Sequence, residues 1–309
     1  MASGTSNRTS LRYVLEVTPG TTPATPALQE INYLSESIND NIQYVRSQHI
    51  RADRNNMDVV PVSEETGGDI NFELAYAVTN EAWFEAVVGG TFSTGTLKNG
   101  TTVRSYTIQK HFQDAGSAPG VFNNYTGCQI NGLSLEFNQG QIIQGKWSVM
   151  GMDMTTSVTQ IAGATFPAIP STASLTASNN VAAIKENTVA TTEQYQKITL
   201  NIQNNMRAIK VIGAMAPVGI NSGWLDITGS FDLYFTTKTM LDRYLNNTSW
   251  ALYWEAVDGA TKYTFNLPKI KIESAKVVSG GANQDLMLSA TFRAIYDGTT
   301  LSMITIVKV

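Results

Sequence analysis

Alternating polar and apolar positions dominate this chain, and helical periods are few. From Asp226 to Phe235 the apolar residues fall on nearly every second position, the pattern of a strand with one buried face. Thr236 or Thr237 is then placed to cap a short helix, Thr239 to Leu245. Its Leu241, Tyr244 and Leu245 fall at i, i+3 and i+4, and Asn246 and Asn247 end it. The same order stands earlier. Asp69 to Tyr76 alternates, Thr79 is the cap, Trp83, Ala86 and Val87 form the stripe of a helix over Asn80 to Val88, and Gly89 and Gly90 stop it. The spacing is nearly constant: 227 − 70 gives 157, 231 − 72 gives 159 and 241 − 83 gives 158. That regularity predicts an internal duplication.

Leu11 to Val17 predicts a first strand. Thr18 to Pro26 follows with Pro19, Pro23 and Pro26, which fix φ and remove donors, so an extended arm is expected within residues 11–30. Ile42 to Val62 holds two strands around a turn at Asn55-Asn56, with Arg46, Arg51 and Arg54 beside Asp53 and Asp58. Mixed charge on a protruding hairpin suits a contact that selects partner and register. A strand at Val103 to Ile108, matched by Lys262 to Leu267, leads into a polar loop from Gln109 to Thr126 that has no counterpart. Each half closes in a hairpin. Leu133, Leu135 and Phe137 face inward before a turn at Gln139-Gly140, with return over Trp147 to Met152; Ile270 and Ile272 face inward before Gly280-Gly281, with return through Leu286, Leu288, Ala290 and Phe292. Tyr195 to Val211 is expected to match the hairpin Ile42 to Met57. Between the halves, Thr155 to Thr192 carries Pro167 and Pro170; its first part reads as a linker and Val181 to Glu186 as a strand. The predicted division is 1–173, with a trailing linker at 155–173, and 174–309. The fold class is mainly β: two tandem β-sandwiches or partly closed barrels, each with one short flanking helix outside the sheet.

Composition agrees with this division, since 309 residues make two domains near the ~150 residues at which a core buries roughly two thirds of its unfolded surface. Charged residues are 15% and the formal net charge is −4, which excludes a protein that grips nucleic acid by its phosphates. Cys128 is the only cysteine, read as a small buried hydrophobe. Met1 to Ser10 has no apolar signal core, and no window approaches the ~20 apolar residues of a helical membrane span, so the chain is expected in the cytosol. His49 and His111 lack the spacing of a metal site, and phosphate-cradling, dinucleotide and nucleophile-elbow motifs are missing; no catalytic, cofactor or metal residue is assigned. The Asn-x-Thr triplets at Asn99, Asn124 and Asn246 are read as chance. What stands out is acidity on one face. Asp69 and Glu73 oppose Ile70, Phe72, Leu74 and Tyr76, Asp226 and Asp232 do the same in the second half, and Glu136 and Glu273 take matching outward positions. Two matched acidic faces imply a shared task.

The run Pro19 to Pro26, the segment Ile50-Arg51-Ala52-Asp53-Arg54, the segment Gly68-Asp69-Ile70-Asn71-Phe72-Glu73-Leu74 and the stretch Trp224 to Phe231 together resemble major tail tube proteins of long-tailed, non-contractile bacteriophages. The resemblance covers nearly the whole chain and implies tail-tube-type sandwiches whose sheets join around an axis to line a channel for the genome. It further implies stacked rings in the virion tail, after synthesis in the host cytoplasm. The implied partners are the chain itself, a tape-measure protein, and terminator and distal tail proteins; double-stranded DNA passes without specific binding, and no membrane is involved. A duplicated member implies three chains supplying six folds. The acids at Asp69, Glu73, Asp226, Asp232, Glu136 and Glu273 then become candidates for the channel wall. Pro19, Pro23 and Pro26, with Arg46, Arg51, Arg54, Asp53 and Asp58, become candidates for contacts between subunits or rings. Two competing classes are a carbohydrate-binding or adhesive sandwich and a capsid or decoration protein. The first should cluster exposed aromatics in loops, whereas Trp83, Trp147 and Trp224 fall where packing is expected.

Overall fold

Alternation becomes strand almost wherever it is strong. The computed structural model describes residues 4–116, 118–169 and 171–309; Met1–Ser3 of the N-terminal stretch, Ser117 of the Gln109–Thr126 loop and Pro170 of the linker lie outside them. The first half runs β1 (Thr9–Glu16), β2 (Gln29–Glu30), β3 (Ser35–Glu36), β4 (Asn39–Arg46), β5 (Val59–Glu73), α1 (Val78–Val88), β6 (Thr96–Lys98), β7 (Ser105–Phe112), β8 (Val121–Asn138), β9 (Gln144–Gly151) and β10 (Asp153–Ser157). The second runs α2 (Ala177–Asn180), β11 (Val181–Glu186), β12 (Val189–Ala190), β13 (Tyr195–Gln203), β14 (Arg207–Ile209), β15 (Gly219–Asn221), β16 (Asp226–Tyr234), α3 (Thr239–Leu245), β17 (Trp250–Asp258), β18 (Thr261–Ser279), β19 (Leu286–Ala294) and β20 (Thr305–Lys308).

The antiparallel succession β1–β7–β8–β9–β5, with β10 also on β8, recurs as β11–β17–β18–β19–β16, with β20 also on β18. The long strands β8 and β18 serve two sheets each: the first part pairs in the outer layer and the second in the inner one, so the result is a sandwich and not a closed barrel. One layer of side chains shows how close the two halves are. Phe72 lies opposite Gly145, which lies opposite Leu135; Gly229 lies opposite Phe292, which lies opposite Ile272. The ring comes from the first strand in one half and the second strand in the other, and each glycine is the space its ring needs. A Cβ on Gly145 would stand 2.4 Å from Phe72 Cζ, and one on Gly229 would stand 2.3 Å from Phe292 Cζ.

The halves share one core. Trp147 stacks on Phe72 at 5.1 Å and meets Trp83 of α1 edge-on at 5.6 Å. Phe84, on the other side of α1, reaches Tyr263 and Phe265 of β18 at 5.4 and 6.0 Å. β20 returns from the end of the chain to pair with β6. Near the N-terminus the buried Glu16 accepts hydrogen bonds from Ser105 Oγ, Thr107 Oγ1 and the N–H groups of Gly20 and Gly127, so the arm is tied to the sandwich by a satisfied carboxylate.

Several expectations need correction. The polar loop at Gln109–Thr126 is mostly strand: β7 runs on to Phe112 and β8 begins at Val121, and Gln109 is buried because its amide donates to Asn124 Oδ1 at 2.9 Å. Its counterpart is the β17–β18 hairpin, so β7 matches β17 rather than Lys262–Leu267. Tyr195–Val211 is not a hairpin. β13 pairs with β16 and β8 rather than with the strand that follows it, and the hairpin is β14–β15. The first part of the linker forms β10 on β8. The turn of the long first hairpin lies at Arg51–Arg54, where Arg54 N–H donates to Arg51 O and Arg54 has φ 62, not at Asn55-Asn56; Ile50–Arg54 is therefore turn, not strand. Ala77 and Lys238 occupy the N-cap positions assigned to threonines. The buried residue of α3 is Met240, 157 positions after Trp83, because the helix turns Arg243 onto the Trp250 ring and leaves Tyr244 and Leu245 exposed. α1 is embedded, not laid outside, with Trp83, Phe84 and Val87 at 0% exposure. Trp224 is 91% exposed; it lies in the short loop between β15 and β16.

Candidate assembly interface and channel face

β13 lies between its own neighbour β16 and β8 of the first half. This seam merges the halves into one inner sheet, β4–β5–β9–β8–β13–β16–β19–β18. Leu133, Leu135 and Phe137 meet Ile202, Leu200 and Ile198 across it, all nearly inaccessible to solvent. Asn204, just past β13, fastens the seam. Its Nδ2 donates to the carbonyls of Val87 at 2.9 Å and Ile130 at 3.0 Å, and its N–H donates to Asn131 O at 2.8 Å. Asn204→Ala leaves both carbonyls without that donor in a buried place, so a loss of about 1–3 kcal/mol is expected, read as a lower midpoint in urea unfolding.

The opposite face of the inner sheet is polar. The six predicted acids all lie on or beside it, and the structure supplies partners that the one-dimensional pattern does not reveal. Lys146 reaches Asp69 at 3.0 Å, Lys197 reaches Glu136 at 2.5 Å, and Arg293 pairs with both Asp226 and Glu273. Ser174 Oγ donates to Glu73 and Ser289 Oγ to Asp232, each at 2.5 Å. Glu273 sits in a bulge between Ile272 and Ser274, so it is displaced from the register position of Glu136. Lys271 and Lys276 stand opposite Arg293 and Ser289 on the same face. Against the six acids stand five bases, Lys146, Lys197, Lys271, Lys276 and Arg293, so these eleven groups sum to −6 + 5 = −1, and Glu65 on the same face of β5 is offset by Lys210 at 2.6 Å. The face is close to neutral, not strongly acidic. Its remaining positions, such as Asn71, Ser134, Thr199, Asn201, Thr228 and Ser230, are uncharged and hydrogen-bonding.

The contact candidates separate into two places. Arg46, Arg51, Asp53, Arg54 and Asp58 gather at the tip of the β4–β5 hairpin, where Arg51 grips Asp53 at 2.7 Å and Asp58 Oδ1 accepts from Val59 N–H. The pair holds the Asp53 carboxyl well below the usual carboxylate range. The hairpin stem exposes Tyr44, Val45, Val59, Val60 and Val62, an apolar surface that a solitary hairpin would not carry. At its base, burial and then Asp40 and Asp153 push the Glu64 carboxyl up to about 7. The prolines lie elsewhere. Pro19 is exposed and Pro26 buried, and the end of the arm lies along its own chain, with Leu28 N–H donating to Thr165 O at 2.9 Å and Thr165 N–H to Pro26 O at 2.9 Å. The shorter β14–β15 hairpin leans on the first half, where Lys210 reaches Glu65 at 2.6 Å and Glu64 N–H donates to Met215 O. A cavity of 690 Å³ under it is lined by Gly67, Ser148, Met150, Arg207 and Pro217. Cys128 is fully buried, and that burial raises its thiol pKa, as an inert core position requires. Among the described residues no helix is long and apolar enough to cross a membrane.

A sandwich that repeats its strand order and extends its inner sheet through an internal seam is a duplicated, mainly antiparallel β-sheet protein. Residues 6–294 match the phage tail tube protein family, and the chain belongs to it. Its role is structural, in the tail tube of a phage virion, which implies self-association and contact with other tail proteins. No curated protein matches the sequence. Among solved structures, a chain of the anti-feeding prophage (AFP) baseplate, determined by cryo-EM and 6-fold symmetrised, is similar at a TM-score of 0.39 and 9% identity, over 51% of this chain and 97% of that one.

Proposed function

We propose that three copies of this chain close into a ring of six sandwiches, that such rings stack into the tail tube of a long-tailed, non-contractile phage, and that the polar face of the merged sheet lines the bore through which the genome leaves. The observation that carries this reading is the repeated strand order with one seam already made inside the chain. β13 covers β8, while the equivalent stretch of β18, residues 271–279, has β19 on one side and no strand on the other among the described residues. An edge of that length exposes unpaired N–H and C=O groups, which ring closure would satisfy. Each proposed domain, 1–173 and 174–309, contributes one sandwich.

A nearly neutral wall of ion pairs and short hydroxyl and amide side chains suits passage of DNA. A cationic wall would release counterions at each phosphate contact and hold the strand, whereas this one presents paired charges and few free cations. Terminator, distal and tape-measure proteins are the proposed neighbours along the tail, and the host cytoplasm the place of synthesis. The test is the mass of a single disc together with electron microscopy of the purified protein. Three chains per disc and a central hole are expected. Six chains per disc would overturn the stoichiometry, and monomers persisting at high concentration would overturn the reading.

A further inference from the structure

We infer that the contact between neighbouring copies repeats the internal seam residue for residue: the strand around β3 of one copy pairs antiparallel with residues 270–272 of β18 in the next, with Ser35 opposite Lys271 and Leu34 opposite Ile272. This rests on the ring reading above and adds its register.

The register follows from pairings within one chain. Phe72, Gly145 and Leu135 are the first-half equivalents of Gly229, Phe292 and Ile272. Gly229 has Leu200 as its other neighbour, and Leu200 pairs with Leu135. On the first-half side, Asn71 pairs with Ser35, which sets Leu34 beside Phe72 in the place that Leu200 holds beside Gly229. Carrying the seam over therefore puts Leu34 against Ile272, and Ser35 against Lys271 as Asn201 lies against Ser134. Both edges are open: β3 and β4 pair only with β5, and the outer side of β18 beyond residue 270 carries no strand, among the described residues.

Burial agrees with a missing neighbour. Leu200 is 0% exposed and Leu34 is 52% exposed. Phe137 in the seam is buried, whereas Ala275, its equivalent opposite Ala290, is only half-buried. An open groove of 530 Å³ runs along the β3 edge, lined by Thr9, Tyr33, Leu34, Ser35 and Glu36. The hairpins tell the same story. As β14–β15 leans across β5 and β9 of the preceding half, the β4–β5 hairpin of one copy would lean across β16 and β19 of the next, covering Tyr44, Val45, Val60 and Val62. It is also the longer hairpin. The internal seam is held by the chain itself and by Asn204, while a seam between copies must generate its own affinity from contact area. A second copy of this chain is therefore the occupant that both edges fit.

Cysteine pairs test the register, since Cys128 is buried and stays out of exchange. Assembled protein carrying Lys271→Cys and Ser35→Cys should oxidise to covalently linked multimers at least tenfold faster than protein carrying Lys271→Cys and Ser37→Cys. A two-residue slip is the control because it keeps every side chain on its own face. Faster linkage through Ser37→Cys, or rings that form without linking through either pair, overturns the register while leaving the ring standing. Amide exchange of the unmodified protein gives a second measurement free of variants: assembly should slow exchange in 33–37 and 271–277 together, and unchanged exchange there overturns the inference. Protein that stays monomeric at high concentration fails the ring reading itself.

Discussion

Tails built with Asp69→Lys, Glu73→Lys, Asp226→Lys and Asp232→Lys are expected to assemble normally and to release their genome slowly and incompletely. Each reversal adds two positive charges, so the sum over the six acids and five bases of this face goes from −1 to −1 + 8 = +7 per chain. Folding should survive. Asp69 and Asp226 are more than a third exposed, and partly exposed ion pairs contribute about 0–1 kcal/mol each. The electrostatics acts on the cargo instead. DNA sliding past unpaired lysines would exchange counterions for amine contacts at each step, and the grip would weaken as salt rises. Fluorescence-monitored release at several salt concentrations checks this, with the deficit shrinking at high salt. Release at the wild-type rate and low salt would remove this face from the bore.

The second large effect concerns the layer that the two halves share. Phe72→Gly should cost about 3–5 kcal/mol, as expected for losing a fully buried ring from a close-packed core. Gly145→Phe should be at least as damaging, because a Cβ at that position already falls 2.4 Å from the Phe72 ring and 2.8 Å from Leu135 Cδ2. Combined, the two changes rebuild in the first half the arrangement that Gly229 and Phe292 make in the second. A double-mutant cycle in urea should then show about 2–3 kcal/mol of favourable coupling. Additive losses would mean that the two layers are not interchangeable. Gly229 would not tolerate the mirror experiment, since a Cβ there also meets Thr199 O at 2.3 Å.

The alternation of Asp69–Tyr76 and Asp226–Phe235 determined strand as far as Glu73 and Tyr234, with its inward and outward faces, because side chains on a strand repeat every second residue whatever lies beyond. The spacing of about 157 residues determined that the chain repeats itself, and the resemblance of its segments to phage tail tube proteins led to the right family. The Leu133–Phe137 and Ile270–Ile272 hairpins were legible for the same local reason. Polar strands were not: Gln109 and Asn124 read as loop until β7 and β8 bring their amides together in the core.

Only the tertiary structure decided the charge of the polar sheet face, since Lys146 lies 77 residues from Asp69 and Arg293 lies 67 from Asp226, and pairing across such distances is a property of register. It also decided that Met240 faces inward and Trp224 outward, since the rotation of a two-turn helix and the exposure of a loop depend on what packs beside them. Above all it decided the seam. A strand edge carries no mark in the sequence of which strand will lie beside it, and its backbone groups are the same at every residue, so the neighbour is chosen by the fold as a whole.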